Sequence, residues 1–108
     1  MTDILRQVTQ GDTGTLYKVG VTGDPVLSDA PVYTCSLSVP SAVPPISRAV
    51  VTLLDADTRF AVQLTTAETA LLAPNVRHTM AIEVLNASLV PEFKVETFVE
   101  FYVKKQVI

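Results

Sequence analysis

The sequence predicts an all-β protein, built as a sandwich of two packed sheets with about seven short strands. Apolar and polar residues alternate with a period of two in several runs along the chain. Turns rich in glycine, proline and aspartate separate these runs. A helical pattern occurs in one short segment near residues 66–72. With 108 residues the chain has the length of a single domain, which we place at residues 1–108.

Three strands and a proline-rich loop are predicted in the first half of the chain. An edge strand around Val8 ends at a glycine-rich turn, and a second strand covers residues 16–21. Residues 32–39 alternate most clearly, because Cys35 and its second neighbours point to one face while small polar residues point to the other. The prolines that follow break any ladder, so residues 39–46 form a loop.

The second half of the chain is predicted to hold two hairpins. Residues 47–54 form an apolar strand, and a turn at Asp55-Ala-Asp57 joins it to the strand of Phe60. Residues 77–85 and 93–103 form two long strands. In the last strand five residues are expected to face the core, namely Val95, Thr97, Val99, Phe101 and Val103.

A capping box at Thr65-Thr-Ala-Glu68 predicts the single helical turn. The Thr65 hydroxyl can accept from the amide of Glu68, and the Glu68 carboxylate from the amide of Thr65. Pro74 ends the helix early, because it biases Ala73 away from the helical region. A strand, a helical turn and a return strand make a crossover between two sheets. With the strand count, this indicates an immunoglobulin-like antiparallel β-sandwich, although the cysteine–tryptophan–cysteine signature of antibody domains is absent.

Composition excludes several functional classes. The net charge is −3, and the only adjacent basic pair is Lys104-Lys105, so nucleic-acid binding is not expected. No apolar run approaches the ~20 residues that span a bilayer, and no signal pattern opens the sequence. The single Cys35 is read as a buried small hydrophobe. Charged residues make up only 18% of the chain, which favours a surface that is partly covered by protein partners.

Two groups of residues are candidates for a metal-binding or catalytic site. Asp12, Asp55 and Asp57 are candidate calcium ligands, but calcium prefers a denser carboxylate cluster, and hairpin turns explain these residues better. His78 with Ser47 and one of the last two aspartates would supply the residue types of a hydrolase triad. No nucleophile-elbow motif accompanies them, so His78 is expected to be a hydrogen-bonded core or rim residue. We therefore predict no catalytic residue, cofactor or metal ligand.

Aromatic and apolar residues in two places are the candidate interface. On the last strand, aromatic side chains stand on the face predicted to point outward, which can mark a protein–protein surface. The alternative is that another segment covers them or that a bulge reverses the two faces. The proline-rich loop is the second place, because a stiff apolar loop loses little entropy on docking. The candidate residues are Phe93, Phe98, Tyr102, Val43, Pro44 and Pro45.

The stretch from Leu64 to Val84 resembles the immunoglobulin-like domains of tailed-bacteriophage structural proteins, most of all the N-terminal domain of upper-baseplate proteins. In that group a Leu-Thr-x-x-Thr/Glu-x-x-Leu-x-Pro-Gly stretch precedes a strand of the type Tyr-x-x-x-Ile-x-Val. The matching residues are Leu64-Thr65, Glu68-Thr69, Leu72, Pro74 and Met80-Ala-Ile-Glu-Val84. Asn75 stands where glycine is usual and His78 near the tyrosine; asparagine also tolerates a left-handed turn. The likeness in the order of signals covers nearly the whole chain.

The resemblance implies structural work in a virion, without catalysis or metal. Such domains bind neighbouring virion proteins and form symmetric rings or trimers, so homo-oligomers and other virion structural proteins are the expected partners. Because the sequence ends at Ile108 without a fibre or receptor-binding module, we expect a single-domain adaptor or decoration at tail, baseplate or neck, assembled in the host cytoplasm. The alternative function is a small carbohydrate-binding or adhesin-like module, which the lack of tryptophan disfavours. An enzyme ranks last.

Overall fold

The protein forms two sheets and one short helix. The computed structural model describes residues 6–21, 23, 25–27, 33–86 and 93–105. Within them the elements are β1 (Arg6–Thr9), β2 (Tyr17–Gly20), β3 (Thr34–Val39), β4 (Ile46–Val50), β5 (Leu53–Leu54), β6 (Arg59–Val62), α1 (Thr66–Thr69), β7 (Arg77–Asn86) and β8 (Phe93–Lys104). One sheet has the order β1-β8-β7-β3-β4 and the other β2-β6-β5. The prediction of an all-β sandwich with one short helical turn is confirmed.

The strand order is that of an immunoglobulin domain. The run β8-β7-β3-β4 corresponds to strands G-F-C-C′ and the run β2-β6-β5 to strands B-E-D. One pairing departs from the antiparallel expectation, because β1 lies parallel to β8 with Val8 beside Val103. The direction of β1 agrees with the connection that follows it. Just after β1, Gln10 N–H donates to Lys104 O, and the chain then passes to β2 in the other sheet. The described helix is far too short and polar to cross a membrane.

The single strand predicted over residues 47–54 is wrong, because the chain changes sheets within it. β4 pairs with β3, whereas β5 pairs with β6 as the predicted hairpin. Val50 is buried and Leu53 half-buried, but Val51 and Thr52 between them are both exposed. Two consecutive outward residues interrupt the period of two, and an all-apolar sequence run does not reveal such a change of phase.

The predicted inward faces mostly form the core. In β3 and β7 every second residue is buried, as expected. In β8 the alternation holds from residue 97 onward, and Phe101 is 2% exposed. The prediction for Val95 is wrong, since it is 45% exposed while its cross-strand partner Val84 is 3% exposed. Within the described part of the chain, β1 begins opposite Phe101, and no described strand lies beside Val95 on the side away from β7.

The crossover between the sheets is built as the capping box predicts. Glu68 N–H donates to Thr65 Oγ1 at 3.2 Å, and Thr65 N–H donates to Glu68 Oε1 at 2.9 Å. The α-helix covers only Thr66–Thr69, and turns continue to Leu72, which is 1% exposed. Asn75 has φ of 66°, so the left-handed turn expected there is present.

Some predicted features lie outside the described residues. These are residue 5 of the first edge strand, the start of the strand at residues 31 and 32, and the loop around residue 91. For Phe93 the strand position is described and the side chain is not.

Candidate interaction surface

The Pro-rich loop, residues 40–45 between β3 and β4, combines a fixed backbone with exposed apolar side chains. Ala42 is buried at 2% exposure, and Val43 N–H donates to Leu71 O at 3.0 Å. The Val43 side chain is 77% exposed, and Pro44 and Pro45 are exposed beside it. The loop therefore presents three adjacent apolar side chains to solvent.

His78 holds the Pro-rich loop from below. Its Nε2 lies 2.9 Å from Ala73 O, and because a carbonyl only accepts, this nitrogen carries the proton in the neutral ring. Its Nδ1 then accepts from Ser41 Oγ at 2.6 Å. The ring is 3% exposed and stacks on Phe101 with centroids 5.9 Å apart. This is the hydrogen-bonded core or rim position predicted for His78.

The structure does not assemble the residue types of a hydrolase triad. Ser47 lies exposed on β4, whereas His78 points to the opposite, buried face of the same sheet. Both His78 nitrogens are taken by Ser41 and by the carbonyl of Ala73. Asp55 lies in the β5–β6 turn of the other sheet, where it forms an ion pair with Lys18. His78 and Asp55 therefore have separate partners, on different sheets of the described chain.

The three aspartates lie in two separate turns. The register of β2 with β6 places Asp12 near the Leu64 end of the three-stranded sheet and the β5–β6 turn at its other end. Within the described residues, no group of three or more histidine, cysteine or acidic side chains is placed to hold a metal ion. Asp55, Ala56 and Asp57 all have positive φ, at 55°, 56° and 63°. Aspartate adopts this left-handed conformation more readily than alanine does, which explains why two of the three residues in the turn are aspartates.

The candidate aromatic residues of β8 do not form one patch. Phe98 lies opposite Ala81 in the middle of the outward face and is 38% exposed. Tyr102 is half-buried opposite Arg77, at the end of the sheet that carries the Pro-rich loop. Phe93 lies five residues beyond Phe98, roughly 17 Å away at the other end of the strand. The outward direction predicted for Phe98 and Tyr102 is correct.

A salt bridge between β4 and α1 was not predicted from the sequence. Arg48 of β4 donates from Nε to Glu68 Oε2 at 2.7 Å and from Nη2 to Oε1 at 3.0 Å. Its Nη2 also donates to Gln63 O at 2.9 Å. The hydrogen bonds from Arg48 hold the pKa of Glu68 below its usual value and raise that of Arg48, although burial opposes both shifts. Sequence reasoning assigned Glu68 to the capping box alone, because the partner comes from a strand twenty residues away.

A buried hydroxyl joins the helix to the first turn of the chain, also without a sequence signal. Thr69 is 0% exposed, and its Oγ1 accepts from Gly11 N–H at 3.1 Å. The same oxygen donates to Asp12 O, 2.6 Å away. Thr69 thereby ties α1 to the turn that follows β1.

A groove with both polar and apolar walls, at the β4–β5 crossing, is a further surface that the sequence did not indicate. Val51 is 82% exposed, the most exposed large hydrophobic side chain described. It borders an open groove of about 320 Å³ whose walls include Leu16, Arg48 and Gln63. The sequence did not predict the exposure of Val51, because this residue lies inside an apolar run that is typical of a single strand.

Cys35 has the inert position that the alternation predicted. It is 4% exposed, and burial raises the pKa of its thiol to about 12. A thiol in this state is a poor nucleophile at neutral pH.

No known protein family matches the chain, and no curated protein matches it either. Function must therefore be argued from the fold and from the exposed surfaces.

Proposed function

We propose that this protein is a non-enzymatic structural subunit of a tailed-phage virion, at tail, baseplate or neck. It acts through protein–protein contacts with other virion structural proteins, and it is present in homo-oligomeric copies. The observation that carries the proposal is the Pro-rich loop, whose apolar side chains face solvent on a fixed backbone.

The physical argument concerns the cost of docking. Association must offset lost motion of side chains and loops, and a preordered loop reduces that cost. Val43 N–H is bonded to Leu71 O, and Ser41 is bonded to His78. Leu71 lies between α1 and β7, and His78 lies near the start of β7, so the loop is held against the crossover of the sandwich. A surface of this kind suits a permanent contact with a neighbouring protein.

The virion setting rests on the resemblance of residues 64–84 to phage structural domains. The residues of that motif build the crossover itself: Thr65 and Glu68 form the capping box, and Asn75 forms the left-handed turn. The function of a subunit in a particle needs no reactive group, which suits the structural roles of His78 and Cys35. The fold alone is shared by proteins of many functions, so the experiment must address the particle directly.

The test is incorporation into particles. The tagged protein is mixed with a lysate of its source, and particles are separated by gradient sedimentation. We expect the wild type to sediment with phage-sized particles and Val43→Asp to lose most of this incorporation. Val26→Asp is the matched control, because it places the same charge at an exposed valine outside the Pro-rich loop and the groove at Val51, and it should incorporate normally.

Two results would contradict the proposal. A protein that never sediments with particles is not a virion subunit. If that same protein gives clear hits on a glycan array, the carbohydrate-binding alternative replaces the proposed function.

A further inference from the structure

Three basic side chains lie at the end of the five-stranded sheet that carries the Pro-rich loop. They are Arg77 at the start of β7, Lys104 at the end of β8 and Lys105 directly after it, and together we call them the basic rim. All three are exposed. Arg77 lies opposite Tyr102, and Lys104 points to the same outward face as Tyr102, since the residue between them in β8 is buried. Two cations therefore flank a half-buried tyrosine on one face of the sheet.

The positive charge of the basic rim is not neutralised by ion pairs within the described chain. Three other cations, Lys18, Arg48 and Lys94, each lie 2.7–3.6 Å from a carboxylate oxygen. Among the residues that the structure describes, no carboxylate forms an ion pair with the basic rim. Glu100 shares the outward face of β8 but lies opposite Thr79, one carboxylate against three cations. The rim is thus positive on a chain whose net charge is −3.

The basic rim borders exposed apolar side chains. Val76 directly precedes Arg77 and is 44% exposed. The residue after Arg77 is His78, whose Nδ1 accepts from Ser41 of the Pro-rich loop, so the loop and the start of β7 are joined. Protein–protein interfaces commonly have an apolar centre and a polar rim. Val43 and its neighbouring prolines occupy the place of the centre, and the basic rim lies at its border.

We propose that the Pro-rich loop and the basic rim together bind an acidic protein surface, in which an apolar pocket is flanked by carboxylates. The pocket takes Val43, whose side chain is 77% exposed. The carboxylates pair with Arg77 and Lys104, and an arginine can hold a carboxylate through two parallel hydrogen bonds. This inference rests on the proposed function for its setting and deepens it, because it gives the chemistry of the neighbouring protein.

The surface suits a protein partner better than a nucleic acid. A nucleic-acid site follows a line of phosphates with a stripe of basic residues. Here three cations border an apolar loop, and the net negative charge of the chain repels a long polyanion. The acidic patch of a folded protein is local, so it meets the basic rim without meeting the rest of the molecule. Charge complementarity of this kind speeds association and selects the partner.

The first test is the binding of a defined probe to the intact purified chain, measured by fluorescence anisotropy. The probe is a labelled peptide of alternating glutamate and leucine. We expect Arg77→Glu and Lys104→Glu each to weaken the binding about fivefold, and about 1 M salt to weaken that of the wild type. Val43→Ser should also weaken it, which distinguishes a joint surface from attraction by charge alone.

Lys94→Glu is the matched control. It makes the same charge change on the same outward face of β8, roughly 33 Å from Lys104. The net charge of this variant equals that of Lys104→Glu, so it should bind the peptide like the wild type if the basic rim is the site. Thermal melts establish that each variant is folded before its binding is compared.

The second test repeats the particle sedimentation with variants of the basic rim. Arg77→Glu combined with Lys104→Glu should lower incorporation about tenfold or more, because two attractive pairs become repulsive. Arg77→Lys combined with Lys104→Arg keeps both charges and should retain most of the incorporation. Lys94→Glu should incorporate normally.

Four results of the first test would overturn the proposal. The wild type may not bind the acidic peptide, or Lys94→Glu weakens the binding as much as Lys104→Glu does. A peptide of alternating lysine and leucine that binds equally well would show that charge is irrelevant. A single-stranded DNA oligonucleotide that binds more tightly than the acidic peptide would assign the basic rim to nucleic acid.

The failure of this inference differs from the failure of the proposed function. If the wild type and the rim variants sediment with particles equally, the partner surface is not acidic and the proposed function stands. If the wild type binds the acidic peptide through the basic rim but never sediments with particles, the proposed function fails and the chemistry of the surface stands.

Discussion

The two ends of the five-stranded sheet are built from the same strands but are held very differently. At the closed end, where residues 101–104 of β8 pair with β1, the core is covered and α1, the Pro-rich loop and the left-handed turn all meet the sheet. At the open end, residues 94–98 of β8 pair with β7, and the described residues place no strand on their other side. On β8, Phe101 points inward and is 2% exposed, whereas Phe98 points to the outward face and is 38% exposed.

The difference shows that alternation along a strand determines the face to which each side chain points, but not whether that side chain is buried. Both ends of β8 alternate with a period of two, and Val95 and Val99 point to the same face. Val99 is 1% exposed, whereas Val95 is 45% exposed. The free energy of unfolding should therefore depend more on the residues of the closed end.

The largest expected effect contrasts the two phenylalanines. Phe101→Ala should lower the free energy of unfolding by about 3–5 kcal/mol, because it leaves a cavity beside His78 in a packed core. Phe98→Ala removes a ring that is open to solvent and should cost on the order of 1 kcal/mol or less. Urea denaturation of both variants measures the contrast. Similar costs would show that the inward and outward faces of β8 contribute equally to stability.

A smaller effect is expected at the buried hydroxyl of the closed end. Thr69→Val keeps the shape but leaves Gly11 N–H without its acceptor, so it should cost about 1–3 kcal/mol. Thr66→Val is the matched control, because its side chain is exposed on the same helix. Thermal melts compare the two. A control that is as unstable as Thr69→Val would attribute the loss to the helix rather than to the buried contact.

The smallest expected effect concerns the Arg48–Glu68 ion pair, whose contribution to the free energy of unfolding depends on pH. Glu68→Gln retains an acceptor for Thr65 N–H but loses the charge, which should cost about 1 kcal/mol at pH 7. The pKa of Glu68 is lowered in the fold from 4.5, chiefly by the Arg48 hydrogen bond. A carboxylate whose pKa is lowered in the folded state stabilises the fold at pH values above its pKa in the unfolded chain. The difference in the free energy of unfolding between wild type and variant should therefore be largest above pH about 4.5. It should disappear as the pH falls through the pKa of Glu68 in the folded state.

The measurement is urea denaturation of both proteins from pH 7 to pH 3. Glu83→Gln supplies the control at the open end, where the ion pair with Lys94 is looser, at 3.6 Å, and more exposed. Surface pairs of this kind contribute little, so its difference from wild type should be near zero at each pH. A difference for Glu68→Gln that persists at pH 3 would mean that packing, not charge, is responsible.

Local sequence patterns determined most of the elements of this protein. Alternation placed the buried faces of β3 and β7, and the spacing of Thr65 and Glu68 placed the helical turn. The proline cluster placed the exposed loop that includes Val43. These features depend on neighbours a few residues apart, which is the range over which backbone geometry and hydrogen bonding are set by the chain itself.

Only the tertiary structure decided which elements meet and which are left uncovered. The change of sheets at Val51, the parallel pairing of β1, and the partners of Arg48 and Thr69 all join segments that are distant in sequence or change phase within an apolar run. The exposure of Val95 opposite the buried Val84 is likewise not determined by alternation. A period of two states which way a side chain points, and burial depends on what packs against that face.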